Sequence, residues 1–129
     1  MLLLDLGLVT AAEPESPVVR ITEPPRQYRS GPSAQGNVSV TFEPSMTRLK
    51  TEICPSYRLS IGFLLGCENI DTGGGCAITL WSGLKRAPAL RNAVEAHERA
   101  HCRGWGADHA GGVDRTYHVG RGFFAGAKE

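Results

Sequence analysis

The fold depends most on residues 88–109, which read PALRNAVEAHERAHCRGWGADH. Pro88 suits the first turn of a helix, because the N–H that it lacks would have no intrahelical partner there. The residues that follow are rich in alanine, leucine, glutamate and arginine, all of which favour a helix. Gly104 stands where a left-handed residue commonly ends a helix. The stretch therefore predicts one helix over about residues 88–104, after which the chain turns back.

One face of this helix carries Leu90, Val94, His97 and His101 at helical spacing. The first two are apolar, so the two histidines continue the inward face of the helix. Two imidazoles one turn apart can bind one metal ion, and the glutamate beside the first, Glu98, can reach a water molecule on that metal. The pattern His-Glu-x-x-His therefore predicts Zn²⁺ on His97 and His101, with Glu98 as the general base of a hydrolytic reaction.

A third metal ligand is expected just past the helix, where Asp108 and His109 lie. His109 would give a three-histidine site with an open fourth position, and Asp108 would give two histidines and a carboxylate. Ligand type favours His109, in which case Asp108 can orient an imidazole N–H. His118 is a further alternative to His109, and Asp108 is also typical of a turn beside Gly106.

Hydrolysis also needs a hydrogen-bond donor for the developing oxyanion. Candidates lie in residues 114–119, which read DRTYHV. Tyr117 is the preferred donor, with Arg115 and His118 as alternatives. Arg115 is equally typical of a surface charge, and Tyr117 of a half-buried strand residue.

Residues 97–109 resemble the zincin metallopeptidases, which share the His-Glu-x-x-His pattern. Gly104 is also similar to the glycine with which the metzincin branch turns toward its third ligand, but Ala107 occupies the position of that ligand. The longer pattern His-Glu-x-x-His-Cys-x-Gly-Trp-x-x-Asp-His resembles a group of small bacterial proteins. The zincin resemblance implies an α+β domain in which a short, mostly antiparallel sheet packs on the active-site helix. It also implies zinc-dependent hydrolysis of peptide bonds.

Composition limits the possible partners. The chain has 129 residues, 41% of them hydrophobic and 21% charged, with a formal net charge of +1. These values are typical of one globular domain and predict no basic surface for nucleic acid. No stretch approaches the roughly 18 apolar residues of a membrane span. The zincin resemblance implies a peptide or protein substrate as the partner.

The sequence also predicts how the chain is divided. Residues 1–36 are expected to be a signal-like, proline-rich flexible segment, and residues 37–129 the metal-binding domain. Within that domain, strands are predicted at residues 37–42, 58–64 and 76–81. The zincin resemblance implies that the strand at 76–81 is an edge to which a peptide substrate could add.

Export is predicted from both the N-terminus and the cysteines. Residues 1–12 form a short apolar run ending in small residues, which resembles a cleaved signal peptide, although Asp5 interrupts it and no positive charge precedes it. A truncated signal peptide and a plain packed N-terminus therefore both stay open. An even number of cysteines in a small chain is typical of two disulfides, and one involving Cys102 would attach the helix to the preceding sheet. The expected location is secreted or periplasmic, with cytoplasmic as the alternative.

Two other functions compete with a zinc peptidase. One is a non-catalytic exported protein with a structural zinc site, and the other is a metal-dependent cell-wall amidase. Glu98 favours catalysis, because a structural site needs no general base and closes its fourth coordination position. The amidase shares the metal chemistry and differs in its substrate.

Overall fold

The computed structural model describes residues 17–34, 36–59 and 62–128. Its helices and strands, in chain order, are β1 (Val18–Glu23), β2 (Val38–Glu43), α1 (Met46–Arg48), β3 (Gly66–Ile70), β4 (Cys76–Trp81), α2 (Pro88–Cys102) and β5 (Val113–His118). The π-helical segment Leu49–Ile53 continues α1, and short 3₁₀ turns lie at Arg26–Tyr28, Pro55–Tyr57, Ser82–Arg86 and Ala125–Lys128. The predicted α+β class is confirmed. Within these described ranges, no helix combines the length and the apolar character needed to cross a membrane.

Two small sheets contain the strands. In the first, the order is β2–β4–β3, with β2 parallel to β4 and β3 antiparallel to it. The second is the antiparallel pair β1–β5, in which Val18 lies opposite His118 and Glu23 opposite Val113. Antiparallel pairing therefore predominates, as expected, but the strands are divided between two sheets.

The strand predicted at residues 76–81 is confirmed as β4, but its place in the sheet differs from the prediction. It is the central strand, between β2 and β3, and the side chains of Ile78 and Leu80 are fully buried. The edge that contacts α2 is β3. A strand with neighbours on both sides has no free backbone groups with which a substrate could pair.

The strand predicted at residues 58–64 is wrong over the part of that range that the structure describes, 58–59 and 62–64. Pro55 begins a 3₁₀ turn, and Gly62 adopts a φ of 95°, which breaks an extended chain. The strand begins instead at Gly66. The prediction at 37–42 is confirmed as β2, shifted by one residue.

The segment before residue 37, which is predicted to be flexible, contains the strand β1. β1 pairs with β5 along its whole length. Four of its six residues are β-branched, and the flanking prolines, Pro17 and Pro24, lie just outside it. Residues 1–16, with the predicted export signal, lie outside the described residues.

The core lies between α2 and the three-stranded sheet. Its largest fully buried side chains are Leu49, Ile78, Leu80, Leu84, Leu90, Cys76 and Cys102. One disulfide, Cys76–Cys102, joins β4 to the last residue of α2. The other, Cys54–Cys67, joins the residue before the 3₁₀ turn Pro55–Tyr57 to β3. The two predicted disulfides are confirmed, and they indicate an oxidising setting, extracellular or periplasmic.

Candidate metal centre

Three histidines converge at the C-terminal half of α2. His97 and His101 lie one turn apart, and their Nε2 atoms are 3.3 Å from each other. His109 comes from the loop after the helix, and its Nε2 is 3.2 Å from that of His101. Each of the three offers a ligand atom within 4.8 Å of the other two, and all three side chains are half-buried. The structure thus brings together three histidines that the sequence analysis named, in a cluster that can hold a metal ion.

The end of α2 returns the chain toward the cluster. The predicted helix is confirmed and ends at Cys102, about two residues before the expected position. Gly104 follows with a φ of 104°, in the left-handed region, and its N–H donates to the carbonyl of His101 at 3.0 Å. The backbone N–H of Trp105 then donates to the carbonyl of Ala100 at 3.0 Å, so a second carbonyl in the last turn of the helix has a hydrogen-bond partner.

His109 has an unusual backbone conformation. It is the one non-glycine residue with a positive φ, 57°, in the described part of the chain. Its N–H donates to the carbonyl of Gly106 and its own carbonyl accepts from the N–H of Gly112, both at 3.0 Å. A left-handed residue other than glycine is uncommon and often marks a functional position. Here it lies at the point where the loop brings the imidazole back to His101.

Backbone carbonyls fix the tautomers of the two helix histidines. The Nδ1 of His97 donates to the carbonyl of Thr22 at 2.7 Å, and the Nδ1 of His101 donates to the carbonyl of Trp105 at 2.8 Å. A carbonyl oxygen can only accept, so in a neutral ring the proton is on Nδ1 and Nε2 has a free lone pair. Two such lone pairs face each other across 3.3 Å. A shared cation would stabilise this arrangement.

The surroundings also favour neutral imidazoles. Burial lowers the pKa of His97, and the nearby His101 and His109 lower it further, against the opposing hydrogen bond to Thr22. Burial likewise lowers the pKa of His109, with a second contribution from His101. The neutral ring is the form that binds a metal.

One aromatic side chain supports all three histidines. Trp105 is 3% exposed, and its ring centroid lies 5.1 Å from that of His97, 5.0 Å from that of His101 and 4.8 Å from that of His109. Its Nε1 donates to the carbonyl of Ala110 at 3.0 Å, which ties the loop to the indole. Trp105 therefore contributes its carbonyl, its ring and its N–H to the geometry of the cluster.

Glu98 lies beside the histidines and is 7% exposed. Burial raises the pKa of its carboxyl well above the ordinary value, and a side-chain hydrogen bond to Glu68 on β3 raises it further. Glu68 was not predicted as a neighbour of the site, because an isolated glutamate in a strand carries no motif.

A cleft of about 260 Å³ borders His97, Glu98 and His109. Its other walls come from β1, with Arg20 and Thr22, and from Tyr57, Leu64, Leu65 and Gly66. These walls were also absent from the sequence prediction. The β-branched run of β1 was the signal that could have indicated one of them.

The remaining predicted site residues lie away from this cleft. Tyr117 faces Val19 across the β1–β5 pair and lines a separate cavity of about 60 Å³ with Ala93 and Ala96. Its side chain is on the face of β5 that packs toward α2. Tyr117 therefore does not line the cleft beside the histidines, and its role as an oxyanion donor stays a prediction.

The polar alternatives have other partners or positions. Asp108 accepts from the N–H of Ala110 at 3.2 Å, as a turn residue does, and is not a member of the histidine cluster. Arg115 forms an ion pair with Glu23 at 2.8 Å. His118 lies at the end of β5, outside the cluster. Of the proposed third ligands, His109 is therefore the one that contacts His101.

Comparisons with protein-family models, with curated proteins and with solved structures find no significant match to this chain. The resemblance of residues 97–109 to zincins therefore stays an expectation. The interpretation of the site depends on the geometry of its own residues.

Proposed function

We propose that this protein is a zinc-dependent peptidase that hydrolyses a peptide bond in the cleft beside His97, His101 and His109. The observation that carries the proposal is the convergence of three imidazole nitrogens next to a buried glutamate at the wall of an accessible cleft. A structural zinc site has four protein ligands and needs no such cleft. The cleft and Glu98 together favour the catalytic alternative.

The spacing of the nitrogens supports zinc. Two nitrogen ligands at about 2.0–2.1 Å from a tetrahedral zinc ion lie about 3.3 Å from each other. The Nε2 atoms of His97 and His101 are 3.3 Å apart, and those of His101 and His109 are 3.2 Å apart. Carbonyl acceptors on the Nδ1 atoms of ligating histidines are also typical of zinc sites. Three protein nitrogens leave a fourth position for a water molecule or a substrate.

Glu98 is the group that moves protons in the proposed reaction. When bound, zinc supplies Lewis acidity, which makes a water molecule more acidic and polarises a carbonyl. The Glu98 carboxylate accepts the proton of the attacking water and delivers it to the leaving amine. A dication held by the neighbouring histidines would oppose the burial that raises the pKa of Glu98, and so would favour the carboxylate form.

Tyr57 is the one tyrosine among the described residues that lines the cleft. Burial raises the pKa of its hydroxyl, and the charges of Glu98 and Glu68 raise it further, so the group keeps its proton. A protonated phenol can donate a hydrogen bond to the oxyanion. Tyr57 is therefore better placed for this role than Tyr117.

An edge strand supports a peptide as the substrate. Among the described residues, β3 pairs with β4 alone, and Gly66 at its start lines the cleft. An extended peptide can add to such an edge by main-chain hydrogen bonds. A peptide paired with β3 would run into the cleft beside Glu98. The two disulfides support a secreted or periplasmic location, where such substrates are exposed.

The proposal is tested by incubating the zinc-loaded protein with a mixed peptide library and identifying new termini by mass spectrometry. We expect cleavage that a chelator abolishes and one equivalent of zinc restores, with none in the matched variant His101→Ala. Muropeptides are tested in parallel, and cleavage there alone would assign the amidase alternative. Bound zinc without cleavage of either substrate would assign the structural alternative.

Zinc affinity should separate His109 from the competing ligands. His109→Ala is expected to weaken zinc binding by at least about 100-fold, because the cluster loses a direct ligand. Asp108→Asn and His118→Ala should stay within about threefold of the original affinity, since neither side chain joins the cluster. Competition with a chromophoric chelator measures all three, and an unchanged dissociation constant for His109→Ala would exclude it as a ligand.

A further inference from the structure

Arg20 is the one lysine or arginine side chain that lines the cleft in the described part of the chain. It lies on β1, two residues before Thr22, whose carbonyl holds the ring of His97. Residues at alternate positions of a strand share a face, about 7 Å apart. That distance equals about two residues of an extended peptide. The distance from Arg20 to the histidine cluster therefore corresponds to about one or two residues of a bound substrate.

Its guanidinium is free to bind a ligand. Arg20 forms no ion pair and donates no side-chain hydrogen bond to any residue in 17–34, 36–59 or 62–128, and it is exposed to solvent. Glu23, the nearest acidic residue along β1, already binds Arg115 at 2.8 Å and Arg29 at 3.8 Å. The five donors of an unpaired guanidinium match the two oxygens of a carboxylate.

Among the described residues, Glu98 is the one acidic side chain that lines the cleft, and it lies on α2 beside the histidines, whereas Arg20 lies on β1. In its carboxylate form Glu98 repels a second anion, whereas Arg20 attracts one. The charge distribution therefore orients a substrate, with any carboxylate of that substrate at Arg20.

We propose that Arg20 binds a carboxylate of the substrate and so selects peptides with a negative charge within about two residues of the scissile bond. This inference rests on the proposed peptidase function. A free C-terminus and an acidic side chain present the same pair of oxygens, and the experiment distinguishes between them.

The test measures binding of short peptide hydroxamates to the zinc-loaded protein by calorimetry. One pair differs at the C-terminus, carboxylate against carboxamide, and a second pair of carboxamides differs by Glu against Gln. In at least one of the two pairs, we expect the charged compound to bind at least about tenfold more tightly than its uncharged counterpart. That preference should disappear in Arg20→Gln. It should persist in the matched control Arg26→Gln, an exposed arginine outside the cleft.

Each outcome has a separate meaning. A preference in the first pair assigns the C-terminus as the source of the carboxylate, and a preference in the second assigns an acidic side chain. Equal binding of all four compounds, or a preference that survives Arg20→Gln, overturns the role of Arg20 and leaves the metal centre intact. If no hydroxamate binds the zinc-loaded protein, the metal lacks an accessible position, and the peptidase proposal fails together with this inference.

Discussion

Replacing Glu98 with glutamine is expected to abolish peptide hydrolysis while leaving zinc bound. The amide has the size of the carboxylic acid and can keep a hydrogen bond to Glu68, but it cannot accept a proton from water. Loss of a general base typically lowers turnover by about 100- to 10,000-fold. The measurement is kcat on a peptide identified from the library, together with the zinc content of the purified variant.

Two glutamates serve as controls for Glu98→Gln. Glu95 lies on the same helix and forms ion pairs with Arg91 and Arg99, so Glu95→Gln should leave turnover unchanged. Glu68→Gln keeps a hydrogen-bonding side chain beside Glu98 and should lower turnover by less than about tenfold. Turnover of Glu98→Gln equal to that of the unmodified protein would rule out the general base. Loss of zinc in that variant would instead indicate that Glu98 supports the metal ligands.

The histidines of the site are close together in the sequence, and they could be predicted because helix geometry fixes the relative positions of the first two. A spacing of four residues places His97 and His101 on one face whatever the rest of the fold does. A glycine that ends the helix also indicates that the chain reverses, which makes His109 a reasonable third ligand. The left-handed conformation of His109 was not foreseeable, since it depends on the turn hydrogen bonds from Gly106 to Gly112.

The distant half of the site has no signature in the residue types. The partner of His97 is a carbonyl 75 residues away, at Thr22, and every residue has a carbonyl. Glu68 reaches Glu98 through strand pairing and helix packing, which depend on contacts far apart in sequence. The prolines around β1 led to a prediction of a flexible arm, although the β-branched residues between them favour a strand.

The central position of β4 in its sheet could have been predicted from its residues. Residues 76–81 read CAITLW, an almost continuous apolar run, which is typical of a strand with neighbours on both sides. Residues 66–70 read GCENI, and the last two are exposed, which is typical of an edge. The edge prediction for β4 followed the zincin resemblance instead of this pattern, and for that reason it was wrong.

Removing the Cys76–Cys102 disulfide is expected to have the largest effect on stability and to weaken the metal site as well. Both cysteines are completely buried, and the bond closes a loop of 26 residues. The loop-entropy relation then gives a loss of about 3.5 kcal/mol in the free energy of unfolding for Cys76→Ala/Cys102→Ala. Because Cys102 follows His101 at the end of α2, the freed helix end should also weaken zinc binding by about tenfold.

The other disulfide provides the matched control. Cys54–Cys67 closes a loop of 13 residues, so Cys54→Ala/Cys67→Ala should cost about 3 kcal/mol, nearly the same. It joins the residue before the Pro55–Tyr57 turn to β3 and has neither cysteine in α2, so zinc affinity should be retained. Urea unfolding of the zinc-free proteins gives the stability term without the contribution of bound metal. Chelator competition gives the affinities, and equal zinc affinities in the two double variants would show that Cys76–Cys102 stabilises the fold without positioning His101.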